Sequence, residues 1–286
     1  MSLHMNRLAA LTLLASLAAA QAPATAAAPL AGDKSRYRAC LALAKSAPAR
    51  AIASAQAWRI EGGDIAARHC LALAQFESRD YAAALTTFET AARQAESSRL
   101  TPEEAVGPAL TAINLWTAAT NAALLAGQPG AALRFSTSAL ALAATPAAEA
   151  SLRVMRAEAL VEMKRDTEAA ADLEAATKAD PKVQWGWLLK ATLARRMGKL
   201  PEAEAAILEA AKQTPEDADV QLEAGNIAML QGKTELARTA WVAASAVDPE
   251  SEAGKAAEDA LARLAAGTAE AEPAAATPPA PTPAPR

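Results

Sequence analysis

The 286-residue chain is short of the residues that most catalytic and metal sites need: it has 2 histidines and 2 cysteines. His4 falls in the N-terminal segment, so the body keeps His69 beside Cys40 and Cys70. Structural zinc sites take four ligands, and the adjacent residues His69 and Cys70 point in different directions on a helix. The same adjacency rules out a cysteine–histidine nucleophilic pair. Neither a G-x-x-x-x-G-K-[ST] nor a G-x-G-x-x-G phosphate loop is present. Acids such as Glu158 and Glu162 lie one helical turn apart and read as a helix face, not as an acid/base dyad. No catalysis, metal or cofactor is therefore expected. The net charge is −4 and no basic stripe interleaves with aromatics, which excludes a nucleic-acid footprint. Aromatics make up only 3% of a chain that is 52% hydrophobic. The difference is alanine, the best helix former. Long β-branched or aromatic runs are missing, so the chain reads as all-α.

Long apolar stretches are missing as well. Leu8 to Ala20 is a short apolar run, below the roughly 20 residues that span a bilayer, so no stable membrane insertion is expected. A head with positive charge and no acid, Met1 to Arg7, precedes it, and small residues follow. This is the pattern of a secretory signal peptide over 1–26, cleaved near Ala20 or Ala26. Pro23 disfavours cleavage after Ala22, and no cysteine follows the apolar run to carry a lipid. The expected location is periplasmic. Residues 27–34 read as a linker. The Ala/Pro-rich segment 268–286 cannot bury a core and reads as a disordered tail.

What fills the interval is a repeat. Pro181, Pro215 and Pro249 stand 34 residues apart. Ala169, Ala203 and Ala237 share one register, Ala176, Ala210 and Ala244 another, and Leu173, Ile207 and Trp241 a third. A sustained period of this length marks a stack of helix hairpins. Prolines and glycines divide residues 35–267 into about six hairpins and a last, unpartnered helix. The pairs are 35–46 with 48–61, 64–79 with 81–97, 102–126 with 129–143, 147–164 with 166–179, 182–197 with 200–213, and 217–231 with 234–247. The last helix is 251–266. Gly127, Gly198 and Gly232 suit the left-handed ends of first helices. Asp64, Asp80, Asp166 and Thr234 suit N-caps.

The register resembles the tetratricopeptide repeat family. Residues 218–251 carry it best, through Gly225, Gly232, Ala237, Trp241, Ala244 and Pro249. Residues 184–217 follow with Trp187, Ala191, Gly198, Ala203, Ile207, Ala210 and Pro215. The unit 65–98 keeps Ala72, Tyr81, Ala84, Phe88 and Ala91, and the first unit keeps Ala51, Ala55 and Trp58. The unit 113–146 has Trp116, Gly127, Ala132 and Ala139, but places Ser136 where a large apolar residue belongs. The resemblance implies a right-handed α-α superhelical solenoid. Its small residues would let paired helices approach, and Trp116, Trp187 and Trp241 would lie in the core.

It also implies a concave groove lined by first helices. The groove candidates are Asn114, Asn121, Glu158, Trp185, Leu188, Thr192, Arg195 and Asn226. The alternative is that these are ordinary solvated faces. The residues that would carry a carboxylate-clamping lysine are Thr117, Val154, Leu188 and Leu222, which argues against a chaperone C-terminus as ligand. Consecutive first helices pack side by side in such arrays, and this would bring Cys40 to Cys70 as a disulfide in an oxidising compartment. The function implied is protein or peptide binding, as a scaffold or assembly factor. The competing expectation is a self-associating structural module.

Overall fold

A computed structural model of the protein describes residues 31–98 and 107–266. The segments read as a signal peptide and a tail, and the helix start expected at Pro102, lie outside the described residues. Thirteen α-helices follow one another, and no strand occurs among the described residues. The pairs are α1 (Ala31–Ser46) with α2 (Pro48–Ile60), α3 (Asp64–Glu77) with α4 (Tyr81–Ser98), and α5 (Ala112–Leu125) with α6 (Pro129–Leu140). Next come α7 (Pro146–Glu162) with α8 (Asp166–Ala179), α9 (Gln184–Arg196) with α10 (Leu200–Gln213), and α11 (Ala218–Leu230) with α12 (Thr234–Val247). Helix α13 (Glu252–Ala265) closes the row. No described helix is long and apolar enough to cross a membrane.

Proline opens helices at α2, α6, α7 and α10, where a missing N–H does no harm. Five of the first helices end on a left-handed residue. Gly127, Gly198 and Gly232 fill this place, and Arg79 and Lys164 fill it without being glycine, both at φ 60°. A linking residue follows each, and the second helix starts at once. Asp166 and Thr234 are therefore first helical residues and not N-caps. Asp64 also lies inside its helix, behind Gly63. Asp80 does cap, accepting from the Ala83 N–H at 3.1 Å. Thr145, Asp217 and Ser251 also cap their helices through side-chain oxygens.

Two boundaries differ from the expected ones. Helix α1 begins at Ala31, so residues 31–34 form its first turn and not a linker; Asp33 there complements the helix dipole. Helix α5 begins at Ala112, and residues 107–111 interrupt the helix expected over 102–126. Pro108 has no N–H to give and keeps Gly107 extended. A 3-10 turn, Pro108–Leu110, and an extended Thr111 then lead into the helix.

Successive first helices touch one another (α1 with α3, α5 with α7, α7 with α9, α9 with α11, α11 with α13). The inner side of the stack is therefore made of first helices. At α3 the 3-10 turn intervenes and contacts both α3 and α5. The register alanines Ala169, Ala203, Ala237, Ala176, Ala210 and Ala244 are fully buried, and Trp241 is nearly so. Gly225 faces Trp241 so closely that a Cβ there would overlap the indole. Trp116 stacks on Phe135 with ring centroids 5.5 Å apart. Phe135 thus supplies the bulk missing at Ser136, one residue early. Ser136 is buried beside it and donates back to the Ala132 carbonyl at 2.7 Å.

Trp187 departs from its expected core position. It is half-buried, its indole N–H donates to the Pro181 carbonyl at 2.8 Å, and the Lys190 ammonium lies 5.0 Å from its ring centroid. The ring closes the turn between hairpins and packs on the edge of the α9/α10 core rather than within it. At the open end, α13 buries Ala253, Ala257 and Ala260 and exposes Glu252, Lys255, Glu258, Asp259 and Arg263. A disulfide joins Cys40 on α1 to Cys70 on α3, with Cα atoms 6.1 Å apart and both residues buried.

Candidate functional site

The inner surface divides into two stretches. The first is formed by α1, α3 and the 3-10 turn. Leu41, Leu73 and Ala109 there line a recess of about 580 Å³ with Lys45 and Glu77 at its edge. On its floor the Tyr37 hydroxyl and His69 Nδ1 share a hydrogen bond of 2.7 Å. Burial pushes the Tyr37 hydroxyl above its ordinary range, so it stays neutral.

The second stretch, over α7, α9 and α11, holds most of the residues singled out from the sequence. Glu158 on α7 is half-buried and accepts a hydrogen bond from the Trp185 indole on α9. Burial pushes its carboxyl up to about 7, while the indole N–H opposes the shift. One turn along the stack, Arg195 of α9 donates to Glu223 of α11 at 2.7 Å. Both ends of this pair are shielded, with side-chain exposures of 11% and 7%, which makes it more than a surface ion pair. Burial raises the Glu223 carboxyl, and Arg195 leads the opposing contacts, followed by Asn226 and Thr192. Asn226 also accepts the Trp241 indole N–H at 3.1 Å. Thr192, Arg195, Glu223, Asn226 and Trp241 therefore form one network across three helices.

Glu223 did not stand out in the sequence. Its signal was its place one helical turn before Asn226, on the same face, opposite an arginine of the preceding unit. Asp172 was also passed over. It is buried between Arg153 and Arg156, accepting from Arg156 at 2.6 and 2.7 Å and from Arg153 at 3.1 Å.

The other candidates separate. Leu188 is buried and packs with Ala191 and Ile207, so it belongs to the core and not to the groove surface. Asn114 spends its amide on the Pro108 carbonyl at 2.7 Å, closing the turn before its own helix. Asn121 is half-buried on α5, outside both clusters. Trp185 is not an exposed anchor. It packs against the apolar clusters on either side of it while keeping part of its surface open.

The tetratricopeptide repeat model matches residues 150–183, the unit formed by α7, α8 and the following turn. No curated protein matches the chain. Among solved structures, Pseudomonas aeruginosa pilF is 13% identical with a TM-score of 0.58, covering 80% of this chain and 99% of its own. MamA is 12% identical with a TM-score of 0.50, covering 63% and 95%. YrrB, described as a TPR protein with an unusual peptide-binding site, is 17% identical with a TM-score of 0.49, covering 71% and 96%. At these identities the likeness is one of fold.

Proposed function

We propose that this tetratricopeptide-repeat protein is a non-catalytic interaction module that binds a protein or peptide along its inner groove, as a scaffold or assembly factor outside the cytoplasm. The observation that carries this is the partly exposed polar stretch over α7, α9 and α11. It combines a carboxylate, an indole, a threonine, an arginine and an asparagine on rigid first helices. Helix faces of this kind meet an extended backbone with donors and acceptors already in place. Export is supported by the charged, apolar and small-residue order of 1–26 and by the Cys40–Cys70 bond, which suits an oxidising compartment.

A photo-crosslinking amino acid at Thr192, compared with one at Glu209 on a second helix, tests the groove. Partner adducts from Thr192 alone are expected; adducts from Glu209 alone would move the working surface to the outer side.

Self-association is a second reading, and one observation favours it. Leu208, Leu236, Val242 and Val247 are 55%, 61%, 52% and 46% exposed on α10 and α12, away from the groove. Sedimentation velocity over a concentration series decides. A monomer at all concentrations removes this reading.

A further inference from the structure

This inference rests on the groove reading above and specifies the chemistry of one place within it. The two buried acids among the described residues each hold an arginine: Asp172 binds Arg156 and Arg153, and Glu223 binds Arg195. Glu158 does not follow this pattern. It is half-buried, its hydrogen bond comes from the Trp185 indole, and it takes part in no ion pair among the described residues.

The cations on the surrounding helices are engaged elsewhere. Helix α5 carries no charged residue. Arg134 on α6 bonds the Gly130 carbonyl. On α7, Arg153 and Arg156 turn to Asp172, and Glu162 adds only a further negative charge. Arg165 pairs with Glu168, and Lys178 of α8 acts on Glu174. On α9, Lys190 pairs with Glu174, Arg195 with Glu223, and Arg196 lies nearest Asp166.

A carboxylate taken out of water without a counter-charge is unfavourable for folding. Its position on the groove side, against a half-buried indole, gives it a use in binding. An ammonium or guanidinium group fits both parts: the carboxylate neutralises its charge, and the ring face attracts it through its quadrupole. We propose that Glu158 and Trp185 form a subsite for a lysine or arginine side chain of the bound partner. The partner's cation completes the pairing that this chain leaves open at Glu158 and supplies itself at Asp172 and Glu223. Because burial holds the carboxyl near 7, entry of the cation also displaces a proton from part of the population at neutral pH.

The test uses the full chain and four blocked alanine pentapeptides whose central residue is lysine, arginine, norleucine or glutamate. The Trp185 indole N–H resonance is the readout. At about pH 8 the lysine peptide is expected to bind roughly tenfold more tightly than the norleucine peptide. The preference shrinks towards about pH 6 as Glu158 takes up its proton. Glu158→Gln, which keeps the hydrogen-bond acceptor, brings lysine and norleucine binding to the same level. Arginine in the central position distinguishes the two cations. Equal binding of lysine and norleucine peptides overturns the subsite and leaves the groove reading standing. A lysine effect confined to resonances away from Trp185 overturns the assignment to these two residues. Binding of none of the peptides overturns the inference too, and the Thr192 cross-linking result then judges the groove reading by itself.

Discussion

Adding one methyl group at Gly225 probes how tightly the last hairpin is closed. An ideal Cβ at this position would overlap Cδ1 and Nε1 of Trp241, in the middle of the contact between α11 and α12. Two effects then compete. Alanine is better than glycine inside a helix by about 1 kcal/mol. Overpacking a filled core is unfavourable by about 1–3 kcal/mol, and overlap with a rigid indole belongs at the upper end of that range. Gly225→Ala should therefore destabilise the protein by about 1–2 kcal/mol. The sign should reverse once the ring is gone. Trp241→Ala alone leaves a large cavity and loses about 3–5 kcal/mol. In that background Gly225→Ala meets no indole and should stabilise by about 1 kcal/mol. The double-mutant cycle then gives a coupling of about 2–3 kcal/mol, where independent sites agree within about 0.5 kcal/mol. Urea unfolding gives the overall change. Hydrogen exchange of α11 and α12 localises it, because a repeat array opens hairpin by hairpin. The same effect of Gly225→Ala in both backgrounds would refute the steric explanation.

Other outcomes follow from the same structure. Lys164→Gly and Arg79→Gly relieve left-handed non-glycine residues and should each raise stability by about 0.5–1 kcal/mol, read from the urea midpoint. Reducing the Cys40–Cys70 bond, with a sequence separation of 30, should weaken the first hairpins, and the chain-entropy model puts the loss at about 3–4 kcal/mol. Faster exchange confined to α1, α2 and α3 on reduction is the expected signature. Glu158 should make stability fall as pH rises. Its folded value of about 7 lies above that of the unfolded chain, so its contribution is complete below about pH 4 and is lost on the way to about pH 7. Glu158→Gln should match the wild type at about pH 4 and exceed it by on the order of 2 kcal/mol at about pH 8. Trp185→Phe keeps most of the packing but removes the N–H to Glu158, and should move the carboxyl higher still in an NMR titration.

The hairpin boundaries were legible because proline and glycine act locally. Pro129, Pro146 and Pro201 open helices through their own geometry, and Gly127, Gly198 and Gly232 take left-handed ends whatever surrounds them. The register of small residues was legible for a related reason: a close helix–helix contact excludes a large side chain wherever it occurs. Side-chain direction was less accessible. Trp185 and Trp187 stand two residues apart, on different faces of α9, and the periodicity does not say which ring turns to the core and which to the turn at Pro181. Leu188 was assigned to the groove by its place in the repeat, yet the packing of α9 on α10 buries it. Phe135 replaced Ser136 because the third hairpin is out of step by one residue. Glu223 lay hidden because an acid on a helix is usually solvated, and only the arrival of Arg195 from the preceding unit makes it a buried partner.

Hydrogen exchange of the chain alone and cross-linked to its captured partner probes the working surface most directly. Added protection should fall on α7, α9 and α11, strongest around Trp185, Thr192 and Asn226, and leave α8, α10 and α12 unchanged. Protection confined to α10 and α12, around Leu208 and Val242, would contradict a groove-binding protein.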